Sequence, residues 1–156
     1  MSPPRLHRIL VLLAAMTLGS CSAPTDTGTI TDNALARQRW ASERPAAYDY
    51  TLSVSCFCIQ DVTRPVVIVV NGTSVVSRTY ADTGAPVPAQ WATTFPSIDG
   101  LFEKIASAAA AHAATLDVTY DATRGFPTHI AIDYVAQIAD DEIVYTIRDF
   151  HSRPTN

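Results

Sequence analysis

The chain has 156 residues, 11 basic and 15 acidic, with a net charge of −4 and 47% hydrophobic residues. Such a composition belongs to one modest globular domain and excludes both a disordered polymer and a chain embedded throughout in a bilayer. Its acids are spread along the sequence and offer no attraction to phosphate backbones, so no nucleic-acid partner is expected.

The first twenty residues are set apart. Arg5, His7 and Arg8 form a basic flank, an apolar run from Ile9 to Leu18 follows, and small residues lead to Cys21. About ten apolar residues are too few to span a bilayer but suit the core of a secretory signal. Leu18-Gly19-Ser20-Cys21 resembles the bacterial lipobox. The resemblance implies cleavage before Cys21, diacylglyceryl attachment to its sulfur and acylation of the new N-terminus. Several acyl chains on one residue give stable membrane anchoring. Ser22, in place of an aspartate, favours by the same resemblance the outer membrane, facing the periplasm, with a Gram-positive cell surface as the alternative. Removing residues 1–20 leaves 9 basic and 15 acidic residues, a charge of −6.

After Cys21, "SAPTDTGTI" is small and polar, so residues 21–31 are expected to be a flexible tether. "TDNALARQRWASERP" follows as a helix capped by Thr31 or Asp32, with Leu35, Ala36 and Trp40 on one side and Pro45 at its end. From Tyr48 the period becomes two. Tyr48, Tyr50, Leu52, Val54, Cys56 and Cys58 alternate with Asp49, Thr51, Ser53 and Ser55 until Phe57 breaks the pattern, which predicts a half-buried strand with both cysteines on its apolar face. "RPVVIVVNGTSVVSRTY" is a hairpin around Asn71-Gly72. Residues 81–96, dense in turn formers, form a long loop, and Ser97 caps a helix whose apolar positions are Ile98, Leu101, Phe102, Ile105 and Ala109. Strands in "TLDVTYD", "THIAIDY" and "IVYTIRDF" close the domain over residues 32–151, with 152–156 as a tail.

This order, helix and three strands twice over, predicts an α+β fold: two αβββ units forming an antiparallel sheet with helices on one face. No residue repeat accompanies it, so duplication is suggested by order alone. The layout is similar to small periplasmic modules of the β-lactamase-inhibitor-like and PepSY-like kind, a likeness of fold that carries no activity.

Three features could carry chemistry. Residues i and i+2 of a regular strand stand about 6.6–6.8 Å apart at Cα, at the limit of disulfide geometry, so bridging Cys56 to Cys58 demands a kink or an early strand end. Export to an oxidising compartment favours a bridge; buried thiols, a redox pair and a soft-metal site with His112, His129 or His151 are the alternatives. Asp82-Thr83-Gly84 looks like an aspartic-protease triplet; that chemistry needs two carboxylates sharing a proton, no second triplet follows it, the other copy, Asp26-Thr27-Gly28, falls in the expected tether, and a turn is expected at 82–84. Asp140, Asp141 and Glu142 are weak candidates for a hard cation without the ligand spacing of a calcium loop. No Gly-rich phosphate loop, Gly-x-Ser-x-Gly elbow or His-Glu-x-x-His occurs. The sequence therefore assigns no enzymatic activity and no cofactor.

One ordered pattern runs Trp40, Tyr48-x-Tyr50, Cys56-Phe57-Cys58, Pro65-Val66, Asn71-Gly72, Asp82-Thr83-Gly84, Leu101-Phe102-x-x-Ile105, Tyr120-Asp121, Gly125-Phe126-Pro127, Ile132-Asp133 and Asp141-Glu142. It resembles a family of bacterial exported proteins and lipoproteins known only as a domain of unknown function, over Asp32 to Phe150. The resemblance implies that the Cys-x-Cys pair is a family feature and adds weight to a disulfide. The expected function is that of a lipid-anchored envelope protein that binds an unknown protein or small ligand, or serves assembly. Its contact surface would be the sheet face opposite the helices together with the 81–96 loop. The alternative is a thiol–disulfide or metal-handling accessory using Cys56 and Cys58.

Overall fold

A computed structural model of the chain describes residues 26–138 and 140–154; the signal segment, Cys21 and the start of the expected tether lie outside them. Helix α1 (Asp26–Glu43) leads into β1 (Ala47–Cys56), the one-turn α2 (Gln60–Thr63), β2 (Val66–Asn71) and β3 (Ser74–Tyr80). Then α3 (Ile98–Ala110) precedes β4 (Thr115–Tyr120), β5 (Pro127–Asp133) and β6 (Ile143–Arg153). The strands form one open, wholly antiparallel sheet in the order β3-β2-β1-β6-β5-β4. This is the α+β arrangement expected from the alternating helical and two-residue periods.

Both long helices cover the same face and touch each other, with Arg37–Glu103 and Arg44–Asp99 ion pairs between them. The two meanders advance the same way across the sheet, yet β4 runs opposite to β1. They are therefore of opposite hand, and no rotation that keeps both helices on one face superposes the αβββ units. The duplication suggested by element order is not present in the topology.

The core sits between helices and sheet. Tyr48, Tyr50, Leu52 and Val54 of β1, Val66, Ile68 and Val70 of β2, and Ile130 and Ile132 of β5 point inward and are buried. Trp40 anchors α1, meeting Tyr48, Phe126 and Phe150 edge-on at centroid distances of 5.2, 5.9 and 6.0 Å. Edge-on contact sets the positive rim of one ring against the negative face of another. Ser97 caps α3 as expected, accepting from Gly100 N at 3.2 Å, and α3 buries Ile98, Leu101, Phe102, Ile105, Ala108 and Ala109.

Three expectations change. α1 starts at Asp26, ahead of Thr31 and Asp32, and so extends into the stretch read as a tether. Its buried side is Asn33, Ala36 and Trp40, while Leu35 is exposed. Asn33 is buried because Tyr120 Oη donates to its Oδ1 at 3.2 Å, a satisfied polar contact that hydrophobic periodicity does not register. The 81–96 stretch is held down at its end: Phe95 is fully buried, and the carbonyls of Phe95 and Pro96 accept from Arg78 Nε (2.6 Å) and Tyr50 Oη (2.7 Å). That end of the loop feeds the core on the helix side and adds no contact surface to the opposite face.

Candidate functional site

The opposite sheet face is polar and charged, with Asp49, Thr51, Ser53, Asp117, Thr119, His129, Thr146 and Arg148 among short aliphatics, and among the described residues it carries no large exposed apolar side chain except Val76 on β3. The apolar surface is elsewhere. Among the described residues, seven large hydrophobic side chains are exposed: Leu35, Phe57, Ile59, Val76, Tyr134, Val135 and Ile138. Five of them lie on two loops at one end of the sheet, the β1–α2 turn and the β5–β6 connection. Pairing of Cys56 with Ile143, and of Ile132 with Ile143, puts these loops side by side.

The first loop is shaped by the cysteines. β1 ends at Cys56, whose side chain is half-buried against the core, and Cys58 N donates back to Cys56 O at 2.8 Å. This tight turn brings the two Cα atoms to 5.2 Å, and the sulfurs stand 2.03 Å apart, at disulfide distance. Regular strand spacing is thus abandoned after Cys56, and Cys58 leaves the apolar face where alternation placed it and becomes exposed. Phe57, between them, points into solvent and is 85% exposed. Ile59 follows, 57% exposed, and Val62 anchors α2 in the core.

Arg64 ties this end down. Its guanidinium donates to both carboxylate oxygens of Asp82 (Nε–Oδ2 3.1 Å, Nη2–Oδ1 2.6 Å) and to Thr83 Oγ1 (3.0 Å), and it stacks on the Tyr80 ring at 3.8 Å. The hydrogen bonds from Arg64 hold the Asp82 carboxyl below its ordinary range. Gly84, at φ +71°, closes the turn by donating to Tyr80 O at 2.8 Å. Asp82-Thr83-Gly84 is therefore a turn clamped by an arginine, without the shared proton that an acid protease needs.

The second loop carries Tyr134, Val135 and Ile138, with Ile138 N donating to Val135 O at 2.8 Å. Asp140, Asp141 and Glu142 follow in succession. Among the described residues no three His, Cys, Asp or Glu side chains gather as a metal site. His112 follows α3, His129 lies on β5, and His151 on β6 faces Asp49 at 3.4 Å. Beside the loop, Asp133 and Glu142 line a cavity of about 190 Å³ with Thr115, Ala131 and Val144. Asp133 Oδ1 is buried without a hydrogen-bond partner.

The model of the family of unknown function DUF6174 matches residues 32–152, most of the chain. The chain belongs to the DUF6174 family. No curated protein and no solved structure matches it. The features described above, the Cys56–Cys58 turn, the arginine-clamped Asp82-Thr83-Gly84 turn and the Asp133–Glu142 cavity, all fall within the DUF6174 match. Sequence reasoning singled out the cysteines but missed the apolar end around them. The available signal was Phe57, an aromatic residue on the solvent-facing side of an otherwise strict alternation.

Proposed function

We propose that this DUF6174 protein is a lipid-anchored bacterial envelope protein, held to the outer membrane through Cys21, that works as a binding module. Its docking surface is the sheet end bearing Phe57. The observation that carries this reading is Phe57 itself, 85% exposed at the apex of a turn closed by the cysteine pair. An isolated exposed apolar residue is ordinary, but five on two loops that strand pairing brings to one end of the sheet are the kind of grouping that marks interaction sites. A covalently closed turn also limits the freedom Phe57 would lose on binding, so more of its burial energy, about 1.5–3 kcal/mol for a phenylalanine, is retained as affinity.

Exposure of Cys58 favours thiol–disulfide exchange as a second reading. An incoming thiolate would bond to Cys58 Sγ, break the Sγ–Sγ bond and release Cys56 as the thiolate. Cys56 packs against the core, where apolar surroundings disfavour that charge. The nearest arginine in sequence, Arg64, is engaged by Asp82 and Thr83. Binding is accordingly preferred.

The test is amide hydrogen exchange on the full chain, in its native envelope and after extraction into detergent. Slowed exchange in the envelope confined to residues 56–60 and 134–143 supports docking at this end. Equal exchange in both states counts against it. Intact mass of the envelope form reads the acyl chains on Cys21 from the same preparation.

A further inference from the structure

Resting on that docking reading, we infer that the partner is a protein segment that places a lysine or arginine beside aliphatic or aromatic residues. The apolar loops border carboxylates: Asp61 on α2, Asp133 at the end of β5, and Asp140, Asp141 and Glu142 before β6. Neither loop carries a basic residue, and Arg64, which follows α2, is already bound by Asp82. Among the described residues no basic side chain forms an ion pair with Asp133, Asp140, Asp141 or Glu142. A hydrophobic patch rimmed by one sign of charge selects the opposite sign and rejects its own.

The Asp133–Glu142 cavity makes the assignment specific. At about 190 Å³ it is smaller than the roughly 300–1,000 Å³ of small-molecule sites. It suits one long side chain whose cationic tip meets two carboxylates. Asp133 and Glu142 both line it, and Asp133 has an oxygen without a hydrogen-bond partner, so its carboxylate gains most from a charged donor. A basic side chain there lies beside Tyr134 and Val135, so apolar neighbours on the same segment reach the patch that includes Phe57. An anionic membrane surface would be repelled by the same carboxylates.

The test uses the full lipidated chain in phosphatidylcholine nanodiscs and two acetylated heptapeptides, one alternating lysine with phenylalanine and its glutamate twin. Binding is read by fluorescence anisotropy with empty nanodiscs subtracted. The lysine peptide is expected to bind, and Asp133→Asn with Glu142→Gln should weaken it about tenfold. Phe57→Ser should weaken it without altering that charge dependence. Equal affinity for both peptides, or no effect of the double carboxamide variant while Phe57→Ser still acts, overturns the basic-segment assignment and leaves the docking end standing. Insensitivity to Phe57→Ser overturns the docking reading itself. Binding by empty nanodiscs alone overturns both in favour of a lipid surface. Amide shift mapping on the double variant checks that its fold is intact.

Discussion

Replacing both cysteines, Cys56→Ser with Cys58→Ser, separates two roles the bridge could have. The ring encloses only three residues, and the loop-entropy relation gives such a closure about 1.5 kcal/mol of stabilisation. Cys58 is exposed, so its serine hydroxyl is hydrated freely; Cys56 is half-buried, and a hydroxyl there adds up to about 1 kcal/mol. The expected loss is therefore about 1.5–2.5 kcal/mol, or roughly 6–10 °C in Tm for a domain of about 120 residues. The β1–β6 pairing that ends at Cys56–Ile143 involves backbone alone and should survive. Urea unfolding of the two proteins should show a lower midpoint with an unchanged slope. A loss above about 4 kcal/mol would mean that the bridge holds the sheet together, and no loss would mean that it constrains nothing. Either result would refute the reasoning that makes it a local device for displaying Phe57.

Truncation should distinguish surface from core. Phe57→Ser is expected to change stability by less than about 0.5 kcal/mol, whereas Phe102→Ala, at a fully buried ring stacked on Tyr120, should cost about 3–5 kcal/mol in the same urea titration. Gly125 sits at φ +80°, and a Cβ there would fall 2.5 Å from the Ala36 carbonyl oxygen. Gly125→Ala should accordingly destabilise by about 2–4 kcal/mol and loosen the β4–β5 turn from α1, measured by Tm and by exchange of the α1 amides. Burial pushes the Tyr120 and Tyr145 phenols up to about 12, and Tyr50 is also raised, chiefly by desolvation. A folded pKa above the unfolded value of about 10 gives stability that is complete below pH 10 and is lost as pH rises through the folded values. Ionisation of Tyr50, Tyr120 and Tyr145, followed ring by ring by NMR, should thus appear together with loss of secondary structure; their phenolates in a fully folded protein would contradict this burial.

Much of the fold was legible because its elements obey their periods strictly. The alternation from Tyr48 to Cys56, the Asn71–Gly72 hairpin and the Ser97-capped helix each follow from local chemistry. α1 was less legible, since its buried side depends on Asn33 meeting Tyr120, a partner 87 residues away. The handedness of the two meanders was hidden for a related reason: element order does not say which strands pair at the centre. At the candidate site, the sequence could not decide whether Cys56 and Cys58 share a strand face, because a turn of backbone settles it. The apolar end arises only when β1 and β6 pair, bringing Phe57 beside a loop some eighty positions later. No local window holds both halves.

The most direct test of the docking end is site-specific photo-crosslinking in intact cells. Benzoylphenylalanine is placed at position 57 or, as a reference, at position 76, an exposed position at the other end of the sheet. The account predicts discrete adducts from position 57, few from position 76, and loss of the former when Cys56 and Cys58 are replaced by serine. Matching adduct patterns from both positions, or none from position 57, would contradict it.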